Sequence, residues 1–221
     1  MGTSSHNADS ISTKGQYILP IKAYLTEKLR RNQTIMRSCC YLTKSPLASK
    51  SFNNDGVLYY QKDLDWQTVN ITKKVKINVG KEGTENIVTI PPSIVPYTYN
   101  DNMVTDEQVF IFIHNNTNRF NNLIGDNIFS IDILVPYNYD MLDSPLYGQR
   151  LYLIVEAIMQ EIDDTDVDRS IGIDLPDLHF EVKGNSEERK ISKSNSVLIY
   201  SIDVTVKTIN TRTGVDNYGY L

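Results

Sequence analysis

One run near the end of the chain, Val197 to Ile209, limits the fold more than any other stretch. Leu198, Tyr200, Ile202, Val204 and Val206 alternate with Ile199, Ser201, Asp203, Thr205 and Lys207. A period of two sends successive side chains to opposite faces of a strand, so this run predicts a long strand inside a sheet. Asn127 to Pro136 supplies a partner. Its Phe129, Ile131, Ile133 and Val135 share one face, and Ile128, Ser130, Asp132 and Leu134 take the other. Gln108 to Ile113 and Ile171 to Lys183 read as further strands, with the polar link GNSEERKISKSN as a loop between antiparallel neighbours.

Two helices are predicted beside that sheet. Ile21, Leu25 and Leu29 recur every four residues with Tyr24 beside them, so Ile21 to Arg31 reads as an amphipathic helix, and Pro20 suits its start. Leu151, Ile154, Val155, Ile158 and Ile162 form a second helical stripe, with Ser144 and Pro145 as cap and first turn. Val57 to Tyr60 is β-like. Val75 to Val79 and Ile87 to Ile90 flank the turn-rich GKEGTEN and predict a protruding hairpin ended by Pro91 and Pro92. The expected fold is therefore α+β: a mostly antiparallel sheet, two helices on one face and a β-hairpin arm. Residues 1–16 read as a disordered arm. Residues 17–210 read as one domain with an insertion over 51–106, and residues 211–221 as a polar tail.

Composition limits the partners. The chain has 221 residues, 40% hydrophobic and 22% charged, which suits one sizeable globular core. A net charge of −5 argues against duplex DNA as a tight electrostatic ligand. The two cysteines, Cys39 and Cys40, are adjacent. Bridging neighbours strains the ring, and two thiols without further ligands make no zinc site, so reduced thiols are expected. The polar start has no apolar core of a leader, and His6 stands where a myristoylation pattern wants Ser or Thr. The apolar runs Val109 to Ile113 and Leu151 to Val155 are too short to cross a bilayer.

The densest charge lies in EIDDTDVD, with Glu161, Asp163, Asp164, Asp166 and Asp168 in close succession. Asp164, Asp166 and Asp168 resemble the start of a calcium loop. That loop wants Gly at its sixth position and Glu at its twelfth, where this chain has Arg169 and Leu175. No metal or cofactor is expected. The cluster follows the second helix, where the backbone dipole disfavours surface anions by about 1 kcal/mol or less per charge, so local stability does not explain it. The strongest enzymatic vocabulary is DLPDLHFEVKG. Its Asp177, Glu181 and Lys183, with Asp132 as a substitute acid, use the residue types of PD-(D/E)xK nucleases, in which two acids hold Mg²⁺ and a Lys positions water. Asp177 and Glu181 on one strand lie about 13 Å apart, too far to share a metal. His6, His114 and His179 have no assignable nucleophile, and there is no G-x-S-x-G or P-loop. The Lys28, Arg30, Arg31, Arg37 group and the Lys73, Lys74, Lys76 group lack interleaved aromatics for nucleic acid.

Asn127 to Asp163 runs strand, loop, Arg-led helix, and then come IGIDLPDLHFEVKG and SVLIYSIDVTVKT. This order resembles the tail terminator and tail completion proteins of tailed bacteriophages. The matching positions are Arg150, Ile154 and Ile158, with Val197 to Lys207 as the strand that closes the sheet. The Asn- and Tyr-rich composition is similar to that of crAss-like phage structural proteins. The resemblance implies no enzyme. It implies a virion protein made in the host cytoplasm, assembled as a ring of six or twelve copies in the head–tail neck. Portal or adaptor and tail proteins would be its neighbours, with DNA passing and no membrane contact. On that reading Glu161, Asp163, Asp164, Asp166 and Asp168 face the channel and repel phosphates. Val75, Ile77, Val79, Ile87, Ile90, Tyr218 and Tyr220 are the expected subunit-contact arms.

Overall fold

The computed structural model describes residues 17–65, 74–79, 85–89, 93–97, 108–115, 127–183, 188–190 and 197–208. Its centre is the strand that the alternation predicted. β11 (Val197–Thr208) lies antiparallel to β7 (Asn127–Pro136), in a register running from Val197 opposite Pro136 to Val206 opposite Asn127. Around this pair the main sheet has the order β5-β6-β7-β11-β9-β8. β5 is Ile94–Val95, β6 Phe110–Asn115, β8 Thr165–Asp166 and β9 Leu178–Lys183. Among the described strands, only β5 and β6 pair in parallel. β10 (Glu188–Lys190) pairs with β11 beyond the path, inside the link read from sequence as a loop. The expected strand from Ile171 is also shorter. Arg169–Ile171 is a 3-10 turn closed by Gly172 at φ 79, and pairing begins at Leu178.

One sheet face carries the main core. Phe129, Ile131, Ile133 and Val135 of β7 join Ile202, Val204 and Val206 of β11, and all are buried against helices. α1 (Ile18–Arg31) and α3 (Arg150–Ile162) lie on this face, and α2 (Gln33–Cys40) packs against both of them. The sequence reading expected two helices and missed α2. Its eight residues are too few to establish a period. Asn32 defines it locally, with a side-chain oxygen accepting from the N–H of Ile35 at 3.2 Å. α1 begins at Ile18, before Pro20, because the first-turn N–H groups have no intrahelical partner to lose.

α3 begins later than the Ser144-Pro145 signal. Ser144 accepts instead from the N–H groups of Leu146 and Tyr147, making a side-chain turn. The cap comes from Asp140. Its carboxylate accepts from Leu151 N–H at 2.9 Å, and its carbonyl accepts from Arg150 N–H at 2.7 Å.

Arg150 is 1% exposed and spans the space between α3 and α2. Its guanidinium donates to four carbonyls: Tyr139 at 2.7 Å, Ser38 at 2.6 Å, Tyr41 at 3.0 Å and Thr43 at 2.5 Å. Those of Ser38 and Tyr41 close the C-terminal end of α2, where carbonyls lack partners and the dipole favours a cation. Burial pulls the guanidinium down to about 10, opposed by Cys39 and Asp140, and it stays charged at neutral pH.

The predicted hairpin is present. β3 (Lys74–Val79) and β4 (Glu85–Thr89) pair antiparallel, with Val75 opposite Val88 and Ile77 opposite Asn86. They continue a second sheet of order β1-β2-β3-β4, with β1 Lys50–Phe52 and β2 Leu58–Tyr60. Its base is tied to α2. Gln33 exchanges hydrogen bonds with the backbone of Leu64, and Tyr41 Oη donates to Lys62 O at 3.0 Å. Within the stretch read as an insertion, β5 belongs to the main sheet. Ile90, Tyr218 and Tyr220 lie outside the described residues, as do 1–16 and 209–221.

Replacing Arg150 by Met keeps much of its length but leaves buried carbonyls without donors. Arg150→Met is expected to cost about 3–5 kcal/mol of unfolding free energy in urea. Arg150→Lys should recover only part, because a point charge does not reproduce the planar fork. A loss under about 1 kcal/mol for Met would show that this fork does not join the helices. The Cys39 and Cys40 thiols are both buried and unbridged, and burial pushes Cys40 up to about 12 and Cys39 well above the ordinary value. Neither thiol should react with Ellman's reagent in the native protein, and both should react in denaturant; fast native labelling would contradict that packing.

Candidate functional site at the acidic edge

The acidic run turns the chain from α3 into the outer edge of the sheet. α3 ends at Ile162, and Asp163 is its C-cap, with its N–H on Met159 O at 2.9 Å. Asp164 follows at φ 55, a left-handed conformation that Asp tolerates better than bulkier residues. Thr165 and Asp166 then pair with Phe180 and His179 as β8.

Four of the five acids meet a group supplied by another part of the chain, and Asp168 caps the turn that follows it. Glu161 accepts from Asn32 Nδ2 at 2.9 Å, so one Asn serves as C-cap of α1, N-cap of α2 and tether of α3. Asp163 accepts from the N–H of Val182 at 2.8 Å, which satisfies a strand-edge donor just past the short β8. His179 lies between Asp166, 2.8 Å from Nδ1, and Asp164, 3.4 Å from Nε2. Asp168 caps the 3-10 turn by accepting from Ser170 N–H at 2.8 Å. The Ser170 hydrogen bonds, with Lys28 and Arg31 nearby, hold its carboxyl below the ordinary range.

α1 anchors this turn from beneath. Tyr24 is fully buried and stacks on Phe180 with ring centroids 5.2 Å apart. Its hydroxyl accepts from Asp168 N–H at 2.9 Å. Lys28 runs over the Tyr24 ring and donates to Thr165 Oγ1 at 3.3 Å. Burial lowers the Lys28 ammonium, and Glu161 and Asp168 oppose that shift. Arg31 donates to Ser170 O and Ile171 O. The local helix-end argument leaves the cluster unexplained, and contacts with distant segments supply a reason for it, because the acids help hold the junction of α1, α2, α3 and β9. Asp163, Asp164, Asp166 and Asp168 are all exposed, the side chains of Asp164 and Asp166 to 91% and 68%.

The sequence missed Tyr24, Asn32, Val182 and His179 as parts of this site. Its one local signal was the basic end of α1, where Lys28 and Arg31 share the last turns.

The nuclease residues are not brought together. Asp132 is opposite Ser201 and Glu181 is opposite Thr205, on strands separated by β11. Two strand spacings and four residues of offset put them about 16 Å apart. Asp177 pairs with Arg169 at 2.5 Å, and Glu181 with Lys207 at 2.5 Å. Lys207, then His179 and Lys183, holds Glu181 below the ordinary range. Lys183 is exposed and stands across from Asp203. Among the described residues, no three His, Cys, Asp or Glu side chains are grouped to hold a metal ion.

A second polar group lies on the sheet face away from the helices. Asp132 accepts from Ser201 Oγ at 2.6 Å with one oxygen and from His114 Nε2 at 2.8 Å with the other. Asp203 accepts from Ser130 Oγ at 2.7 Å. Here hydroxyl and imidazole share an acid and do not meet each other, which is not a nucleophile–base arrangement. These bonds cross β6, β7 and β11 and fix their register.

The geometry defines a helix-backed, mainly antiparallel α+β protein whose charged residues are engaged in joining its elements. The chain belongs to the YomW family, whose model matches residues 32–190, and this family is phage-derived and Bacillus-phage-like. The match runs from the α2 cap to β10 and includes the hairpin, Arg150, α3 and the acidic edge. No curated protein and no solved structure matches the chain.

Asp168→Asn keeps the capping geometry and removes the charge. The folded carboxyl is depressed, so its stabilisation is complete above the ordinary carboxylate range and is lost as pH falls through the folded value. Thermal melts should show the variant below the parent at neutral pH, with a gap that holds down to about pH 5 and closes below it. A gap independent of pH would assign the effect to shape and not to charge.

Proposed function

We propose that this phage protein is a structural virion component, a homo-oligomeric ring of the head–tail neck that joins portal or adaptor to tail and lets DNA pass. The observation that carries the reading is the β3–β4 hairpin. β4 stands at the end of the order β1-β2-β3-β4. A strand at a sheet end offers backbone donors and acceptors, and β-addition to a neighbouring copy is a direct way to occupy them. A closed ring then satisfies every such edge.

Three further features support it. Family membership supplies the phage origin. The order β7, Arg-led α3, β9, β11 is the one that the tail-terminator resemblance predicts. Asp164 and Asp166 give the edge an exposed negative rim, which suits a surface that phosphates must slide past. Asp132 and Glu181 stand two strands apart, a spacing that favours the ring over the nuclease alternative.

Negative-stain imaging and native mass spectrometry of the concentrated protein test the reading. Uniform rings are expected. Replacing 74–89 by a Gly-Ser linker should abolish the rings while leaving the circular dichroism of the main domain unchanged. Monomers at every concentration together with Mg²⁺-dependent DNA cleavage lost in Glu181→Ala would replace the ring by the nuclease.

A further inference from the structure

Most strand edges of the described residues are closed by a neighbouring group. In the main sheet α1 reaches both ends. Arg30 Nη2 donates to Ile94 O at 2.8 Å on β5. Tyr24 Oη donates to Asp166 O at 3.5 Å on β8, and Asp163 takes the N–H of Val182 where β9 runs past β8. In the second sheet the segment before β1 closes it, with Lys44 N–H on Phe52 O at 3.2 Å and Thr43 bridged to Asn53. β10 has a charge at each of its positions, Glu188, Arg189 and Lys190, a composition that discourages strand addition.

The β3–β4 hairpin differs. β2 meets β3 at Val79 and Asn78, after which the chain leaves for α2, where the N–H groups of Lys62 and Leu64 bond to Tyr41 and Gln33. Lys74 to Ile77 therefore have β4 on one side and, among the described residues, no strand on the other. Glu85 to Thr89 have β3 on one side and, among the described residues, no strand on the other. One hairpin thus presents two backbone edges, and their charges are opposite. β3 carries Lys74 and Lys76 and no acid, whereas β4 carries Glu85 and no base.

We propose that the β3 edge of one copy pairs with the β4 edge of its neighbour. The inference rests on the ring reading and names the two edges that meet in it. Charge selects the pairing. β3 against β3 would bring the lysines of two copies together, and like charges across paired strands are destabilising. β4 against β4 would bring two Glu85 carboxylates onto one strand pair and leave both β3 edges unfilled. β3 against β4 joins lysines to an acid, the same combination that the hairpin already pairs within one copy. It also gives every copy one edge to offer and a different one to receive with. Such a head-to-tail contact repeats from copy to copy and closes into a ring where the rotation allows, whereas pairing of like edges stops at a dimer.

The test is thiol cross-linking of the full chain with a short bismaleimide. Val75→Cys on β3 and Asn86→Cys on β4 are made as separate variants and mixed. Cys39 and Cys40 are buried, so each copy offers one accessible thiol and every link joins two copies. Links between the two variants are expected to predominate over links between copies of one variant. Lys74→Glu with Lys76→Glu, introduced into both, should abolish the mixed links, and adding Glu85→Lys should restore them, which separates lost charge from a misfolded hairpin. Links chiefly between copies of one variant, no links, or mixed links indifferent to these charge reversals would overturn the pairing. Native mass spectrometry on the same samples separates the two ideas. Rings without mixed links leave the ring reading standing and the edge pairing refuted. Mixed links in open chains that never close leave the pairing standing and the ring refuted.

Discussion

The buried guanidinium of Arg150 is the interaction on which the helical layer depends. A single planar group gives donors to carbonyls of residues 38, 41, 43 and 139, so α2, the segment after it and the turn after β7 converge on the first residue of α3. A charge in the interior is costly, and several short bonds to carbonyl dipoles compensate it. The same carbonyls sit at the end of α2, where they would otherwise have no partner. Asp140 completes the arrangement by capping α3 from ten residues upstream. The position of the 141–149 loop follows from this anchor.

The acidic edge follows a related logic in a wetter setting. Anions at the end of a helix are unfavourable for that helix alone. They become useful when the next elements bring an amide, an imidazole and two cations into range. Glu161, Asp163 and Asp168 are engaged in this way by Asn32, Val182 and Ser170. Asp164 and Asp166 share His179 and remain largely in water. One segment thus holds a structural junction together and still shows negative charge outward.

The two sheets have different tasks. The main sheet buries one face under helices and locks its register on the other through Asp132 and Asp203, which bond across strands. The second sheet ends in a hairpin whose outer strand has one described neighbour. Family membership places the protein among phage proteins.

By itself the sequence determined the elements whose information is local. β7 was bounded as Asn127 to Pro136, and β11 was read within one residue of its end, because long alternation leaves only one way to bury a face. The hairpin was legible for the same reason, its turn residues standing between two β-branched runs. The stripe of α3 was legible too, since five apolar residues at helical spacing have few other uses. Tertiary structure decided the rest. The start of α3 was hidden because Ser144 and Pro145 carry the same signals for a turn as for a helix, and the real cap lies on another segment. α2 was hidden because two turns contain too little period, and its ends are closed by Asn32 and by a guanidinium more than 100 residues away in sequence. The roles of the acids were hidden because their partners are spread from α1 to β9. Periodicity is written in neighbouring residues, whereas a hydrogen bond between distant segments exists only once the chain has folded.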